Sequence, residues 1–252
     1  MIFPIGDQNE PGGRRAPVTL LIILANFAVF LLLQLPESGK ERQPITYGYS
    51  TIPYEITHNV DLVGPKEITV GGERGLIDEE PGPRPIWLTI FTSMFLHGGW
   101  LHILGNMLFL FIFGNNVEDR FGRLKFLLFY VFCGYVAAYG FAYGNPDSTT
   151  TLVGASGAIA GVLGAYLVMF PRARVMSIVP IAILWIPIRL PAWLVLGGWF
   201  LLQWLYSSGS GVASGAGVAY LAHVYGFVAG VLVALLLRPM LRDPGPVPVR
   251  GY

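Results

Sequence analysis

The sequence predicts an all-α, polytopic membrane protein with six transmembrane helices, on three observations. Its 252 residues are 54% hydrophobic and only 12% charged, about half the charge of an ordinary soluble domain. Mean hydropathy is +0.58. The apolar residues gather into runs of roughly 20, the number a helix needs to cross a bilayer core about 30 Å thick. The length leaves room for six such runs and one sizeable loop, and none for a second folded domain of ordinary size. A net charge of +1 points to no nucleic-acid or acidic partner. The single cysteine, Cys133, lies in an apolar run, which excludes an intramolecular disulfide and a cysteine metal site.

Residues 1–16 read as a polar tail with Arg14 and Arg15 ahead of the first run. No small-residue cleavage site follows, so that run is a retained span, not a signal peptide. The first span covers Pro17 to Leu35. Residues 36–85, rich in Pro and Gly, carry five Lys/Arg and nine Asp/Glu and form a long external loop. Its Tyr47, Tyr49 and Tyr54 suit either an interfacial position or a solvated, irregular loop.

The second span begins near Trp100, after His97-Gly98-Gly99 interrupts an apolar stretch, and a charged turn from Glu118 to Lys125 ends it. The third covers Phe126 to Tyr143, and the fourth Gly154 to Phe170, stopped by Pro171-Arg172-Ala173-Arg174. Val175 to Leu190 is apolar but holds Pro180, Pro187 and Arg189, and reads as a broken segment at the interface. Pro191 suits the first position of the fifth span, which runs to Tyr206. A Ser/Gly-rich link, Ser207 to Ser214, leads to the sixth span, Val218 to Leu237. The membrane domain is therefore 17–240, and 241–252 form a basic tail. With both termini in the cytoplasm, ten Lys/Arg fall on that side and the five of the long loop outside, Arg189 being assigned to neither, which is the distribution the positive-inside rule favours.

In that orientation spans two, four and six all run inward from the outer face. Asn106, Ser156 and His223 each come early in their span, and at 1.5 Å per residue their depths agree within about 6 Å. Gly154-Ala155-Ser156-Gly157 puts Ser156 in the first turn of a helix, where backbone N–H groups lack intrahelical partners and can hold a developing negative charge. Read alone, such a serine is as well explained by capping or packing. Gly157, Gly161 and Gly164 give span four a smooth face, and Gly226 and Gly230 form a small-xxx-small pair on span six. His223 shares a face with Gly226, so close approach of the two helices brings its imidazole to the Ser156 hydroxyl. His102 and Asn106, four apart on one face, supply neutral donors for an oxyanion. His97, about a turn earlier, suits a structural or water-holding role.

The proposed spans contain no Asp or Glu, and Lys occurs only at 40, 66 and 125. That argues against a carboxylate behind the histidine and against a Ser–Lys pair, leaving a Ser–His dyad. There is no HExxH for a zinc protease and no pair of intramembrane aspartates.

The motifs His102-x-x-x-Asn106, Val117-Glu118-Asp119-Arg120-Phe121-Gly122, Gly154-Ala155-Ser156-Gly157 and Ala222-His223-x-x-Gly226-x-x-x-Gly230 stand in an order that resembles the rhomboid intramembrane serine proteases. The resemblance covers nearly the whole chain. It implies a rhomboid-type bundle with Ser156 as nucleophile, His223 as general base, and an oxyanion hole made by His102, Asn106 and the Ser156 N–H. It further implies an endopeptidase of the cell membrane, without cofactor or metal, whose partners are the lipid bilayer and single-span membrane proteins cut in or near the transmembrane segment. A non-proteolytic, client-binding rhomboid-like protein is the alternative. Two departures from the family pattern stand out. Ala160 occupies a position where some members stack an aromatic on the catalytic histidine, leaving Tyr225 or general packing to orient His223. The long loop also lacks the Trp-Arg pair of some relatives.

Overall fold

Pro17 opens the first helix, α1 (Pro17–Val29), from its N1 position. The computed structural model describes residues 3–7, 16–40, 43–70, 73–77, 79–181, 184–208 and 219–241. Arg14, Arg15, most of the Ser/Gly-rich link, and the tail from Arg242, with Arg250, lie outside the described residues. Helix α1 continues without a break through a π turn and a short 3-10 turn, so Pro17–Glu37 forms one rod of 21 residues.

The described residues of the long loop carry secondary structure that its composition does not suggest. It holds α2 (Pro44–Gly48), α3 (Pro53–His58) and a hairpin of β2 (Lys66–Val70) with β3 (Glu73–Ile77). The Glu37 carboxylate accepts the backbone N–H of Ile45 and Thr46 at 3.0 and 3.2 Å, satisfying the free end of α2. Thr51 pairs with Leu152 in an isolated antiparallel bridge, so the loop is stitched to the segment that precedes Ser156.

After α4 (Leu88–Ser93) come α5 (Trp100–Phe109), a π turn and α6 (Asn115–Phe121), stacked as one 22-residue rod, and then α7 (Arg123–Gly144). The expected charged turn from Glu118 to Lys125 is corrected here. The helix runs on to Phe121, and only Gly122, at φ +77°, separates it from α7. Glu118 is buried and points at the start of α1, where it accepts the N–H of Val18 and Thr19 at 3.1 and 2.7 Å and the Thr19 hydroxyl at 2.8 Å. Ala16 supplies no side-chain cap, so a carboxylate from another helix does that work.

α8 (Ser156–Met169) stands at the centre, with every residue from Ala158 to Tyr166 buried. A helix apolar on all sides has to be enclosed by its neighbours, and α7, α9 (Ala192–Ser207) and α10 (Tyr220–Leu237) enclose it. Exposed Leu21, Leu24 and Leu32 of the first rod, Leu128 and Phe132 of α7, and Leu232 and Leu236 of α10 give the bundle an apolar outer surface. Four helices among the described residues are long and apolar enough to cross a membrane: Pro17–Glu37, Trp100–Phe121, Arg123–Gly144 and Tyr220–Met240. α8 and α9 occupy the expected fourth and fifth positions but have 14 and 16 residues, about 21 and 24 Å at 1.5 Å per residue.

The described residues of Val175 to Leu190 are neither helical nor irregular, and the expected broken segment is corrected to a pair of strands. β4 (Arg174–Ile181) and β5 (Leu184–Pro191) form an antiparallel hairpin, and β1 (Phe3–Asp7) adds to the other edge of β4. Pro187 lies on the edge strand, and Pro180 lies beyond the stretch of β4 that pairs with β1, so neither ring interrupts a ladder shared on both sides. The expected N-terminal tail thus contains a strand. The Asp7 carboxylate at its end accepts Asn116 Nδ2 at 2.8 Å and the Tyr166 hydroxyl at 2.5 Å, fastening the strand to α6 and α8.

Candidate active site

Gly154 has φ +123°, a conformation that a side chain rarely tolerates, and its N–H donates to the Ser93 carbonyl at 2.9 Å. That turn aims the chain into α8, whose first residue is Ser156. The first bond closing the helix runs from Ile159 N–H to the Ala155 carbonyl at 3.0 Å, leaving the N–H groups of Ser156 to Ala158 without intrahelical acceptors.

α8 meets α10 backbone to backbone. A methyl group on Gly226 would overlap the Gly157 carbonyl, one on Gly230 the Gly161 carbonyl, and one on Gly164 the Phe227 carbonyl. The separation these glycines permit sets the distance between the side chains above them. His223 Nε2 lies 2.8 Å from Ser156 Oγ.

His102 and Asn106 stand across the same cavity, which has a volume of about 820 Å³ and is also lined by Gly154, Ser156 and His223. The Gly98 N–H donates to His102 Nδ1 at 3.2 Å. That leaves the proton of the neutral ring on Nε2, the nitrogen nearest Gly154. Asn106 Nδ2 also approaches Gly154, is buried, and has no hydrogen-bond partner among the described residues. A buried donor without an acceptor is costly unless something fills the gap. Two N–H donors thus converge beside the residue two before the serine, where negative charge can be held.

His97 lies behind this wall. It is buried, its ring meets that of His102 edge-on at 5.1 Å, and Gln34 of the first rod holds its backbone in both directions: His97 N–H donates to Gln34 Oε1 at 2.9 Å and Gln34 Nε2 donates to the His97 carbonyl at 3.2 Å. A structural role fits.

Tyr225 is not what orients His223: its ring packs over Gly140 of α7, where a methyl would overlap it. The residue that sequence reasoning missed is Gln203 of α9, buried, with Oε1 2.7 Å from His223 Nδ1. One turn before it, the Trp199 ring lies 5.8 Å from the imidazole at 33°. The aromatic contact absent at Ala160 therefore comes from a different helix. A lone amide in an apolar run was the signal available for Gln203. The described residues contain no group of three His, Cys, Asp or Glu able to hold a metal ion.

Residues 84–240 match the family model of the Rhomboid domain. The chain is 37% identical over 83 residues to the putative rhomboid protease YdcA of Bacillus subtilis, covering 33% of this chain and 41% of that one. It is 27% identical over 222 residues to RHOMBOID-like protein 4 of Arabidopsis thaliana, covering 86% and 52%. It is 26% identical over 167 residues to the rhomboid protease AarA of Providencia stuartii, covering 60% and 50%. The chain spans about half or less of the length of these curated relatives.

Proposed function

The chain belongs to the rhomboid family and is an integral, multi-pass membrane protein; from that premise we propose that it is an intramembrane serine endopeptidase working through a Ser156–His223 dyad. The observation that carries this reading is the 2.8 Å contact between His223 Nε2 and Ser156 Oγ, held by two helices in glycine contact. In the proposed reaction Ser156 Oγ attacks the scissile carbonyl while His223 Nε2 takes its proton. Asn106 Nδ2, His102 Nε2–H and the Ser156 N–H hold the oxyanion. His223 then returns the proton to the leaving amine as the C–N bond breaks, and a water, deprotonated by the same imidazole, hydrolyses the acyl-serine.

The substrates are single-span membrane proteins, opened in or near the spanning segment. An intact helix hydrogen-bonds and shields its amides, so a cleavable stretch has to be extended before attack. The membrane domain is 17–240, crossing the cell membrane six times with both termini in the cytoplasm. The short α8 supports a site below the outer surface, because about 21 Å of helix falls short of a core about 30 Å thick.

Reconstituted protein with a labile single-span substrate is expected to give two fragments. Ser156→Ala and His223→Ala each lower the rate by several orders of magnitude. Cleavage at the parent rate in both variants overturns the proposal. A fluorophosphonate probe separates the enzyme from a client-binding relative: labelling that disappears in Ser156→Ala belongs to an activated nucleophile.

A further inference from the structure

We infer that Gln203 is a positioning residue for His223, its amide oxygen fixing the proton on Nδ1 so that Nε2 is free to act as the base; this rests on the dyad reading above. A neutral imidazole has two tautomers, and only the one with an unprotonated Nε2 can accept the serine proton. In that tautomer Nδ1 carries hydrogen and needs an acceptor. The one it meets is Gln203 Oε1 at 2.7 Å, in a surrounding where an unmet donor is costly. Gln203 is the only amide of α9 and is buried, so it has no role at the helix surface to explain it. Trp199, four residues earlier and hence on the same face, restricts the ring plane. One helix therefore sets both the tilt of the imidazole and the place of its proton.

The acceptor is neutral. It selects the tautomer without supplying the charge that a carboxylate would lend to the imidazolium. The titratable groups facing the ring are His102 across the cavity and Tyr220, whose ring lies 6.5 Å away. No acidic side chain among the described residues faces it.

The test compares the full-length parent with Gln203→Leu, which removes the acceptor at similar volume, and Gln203→Glu, which restores one. Nitrogen-15 spectra of histidine-labelled protein, with His223→Ala to assign the signal, read the tautomer without any substrate. The parent is expected to show Nδ1 protonated at neutral pH, and Gln203→Leu a mixture of tautomers. In cleavage assays Gln203→Leu lowers kcat about ten- to a hundred-fold, less than the roughly 10⁴-fold cost of a locked wrong tautomer, with KM unchanged. Gln203→Glu recovers turnover and moves the acid limb of the rate profile to higher pH, because a carboxylate stabilises the imidazolium. An unaltered tautomer in Gln203→Leu, or a loss confined to KM, overturns the inference. A parent that shows the Nδ1 tautomer yet neither cleaves nor takes up a fluorophosphonate leaves Gln203 in its role and removes the protease reading instead.

Discussion

Thr51 and Leu152 exchange both of their backbone hydrogen bonds, Thr51 N–H to the Leu152 carbonyl at 3.1 Å and Leu152 N–H to the Thr51 carbonyl at 2.7 Å. The Thr51 hydroxyl adds a 3.0 Å bond to Ser93 Oγ, and the carbonyl of the same serine receives the Gly154 N–H. The long loop, the short helix before α5 and the turn into Ser156 are thus one hydrogen-bonded unit. Thr51→Pro removes the donor N–H and the hydroxyl together. It is expected to lower kcat/KM by about ten- to a hundred-fold through misplacement of the serine, while the melting temperature of the bundle changes little. Cleavage assays beside thermal unfolding in detergent check both halves.

Asn106 Nδ2 has no acceptor among the described residues. Asn106→Ala should reduce kcat about 10²- to 10³-fold, the usual effect of deleting one oxyanion donor. KM stays near the parent value, because the bond forms as charge develops. Steady-state kinetics on a single-span substrate test this, and a change carried by KM alone contradicts it.

The larger part of the fold could be read directly from the sequence. Hydropathy places the four helices long enough to cross a membrane within a few residues of where they lie, because a bilayer imposes a length and a polarity on each; α8 and α9 lie where apolar runs were expected but are shorter than that length. Ser156, His223, His102 and Asn106 were legible because polar groups in apolar runs need a reason. Gln203 met the same criterion but carries no nucleophilic or basic chemistry of its own, and its partner is 20 residues away on another helix. The strand Phe3–Asp7 could not be seen at all: five residues carry too little periodicity, and its pairing depends on β4, far along the chain. Glu118 looked like a turn residue because a charge at the end of an apolar run ordinarily is one. Only the approach of α1 reveals what it caps.

The glycine contact between α8 and α10 predicts intolerance to small additions. Gly226→Ala places a methyl against the Gly157 carbonyl, and backbone cannot turn aside as a side chain can. The expected cost is about 1–3 kcal/mol of stability, read as a lower melting temperature in detergent, with activity falling in step as the two helices separate. Gly197→Ala on α9, where a methyl meets nothing within 4 Å, serves as the control and should leave both unchanged.

Asp7 gives the N-terminal strand a pH dependence. Burial raises its carboxyl from the ordinary 3.8 to about 6, against the opposing hydrogen bonds from Tyr166 and Asn116. A carboxyl with a raised pKa in the folded state binds its proton more tightly there than when unfolded, so its contribution is complete below about pH 4 and is lost as pH rises through about 6. Hydrogen-exchange protection of residues 3–7, taken relative to the intrinsic rate at each pH, is expected to fall over that interval, and Asp7→Asn to abolish the change. Protection that stays constant across the interval in the parent contradicts it.

The glycine seam also decides which parts of the proposed dyad can shift independently. Between α8 and α10 there is no compressible layer of side chains, so hydroxyl and imidazole behave as fittings on a single casting. α9 leans on that casting through ring contacts, Phe200 on Phe227 at 4.6 Å and Tyr206 on Tyr220 at 5.0 Å, and reaches the imidazole itself through an amide and an indole. A displacement of α9 is therefore also felt at the rear nitrogen of His223, and the readiness of the base can change while its span to the serine stays constant.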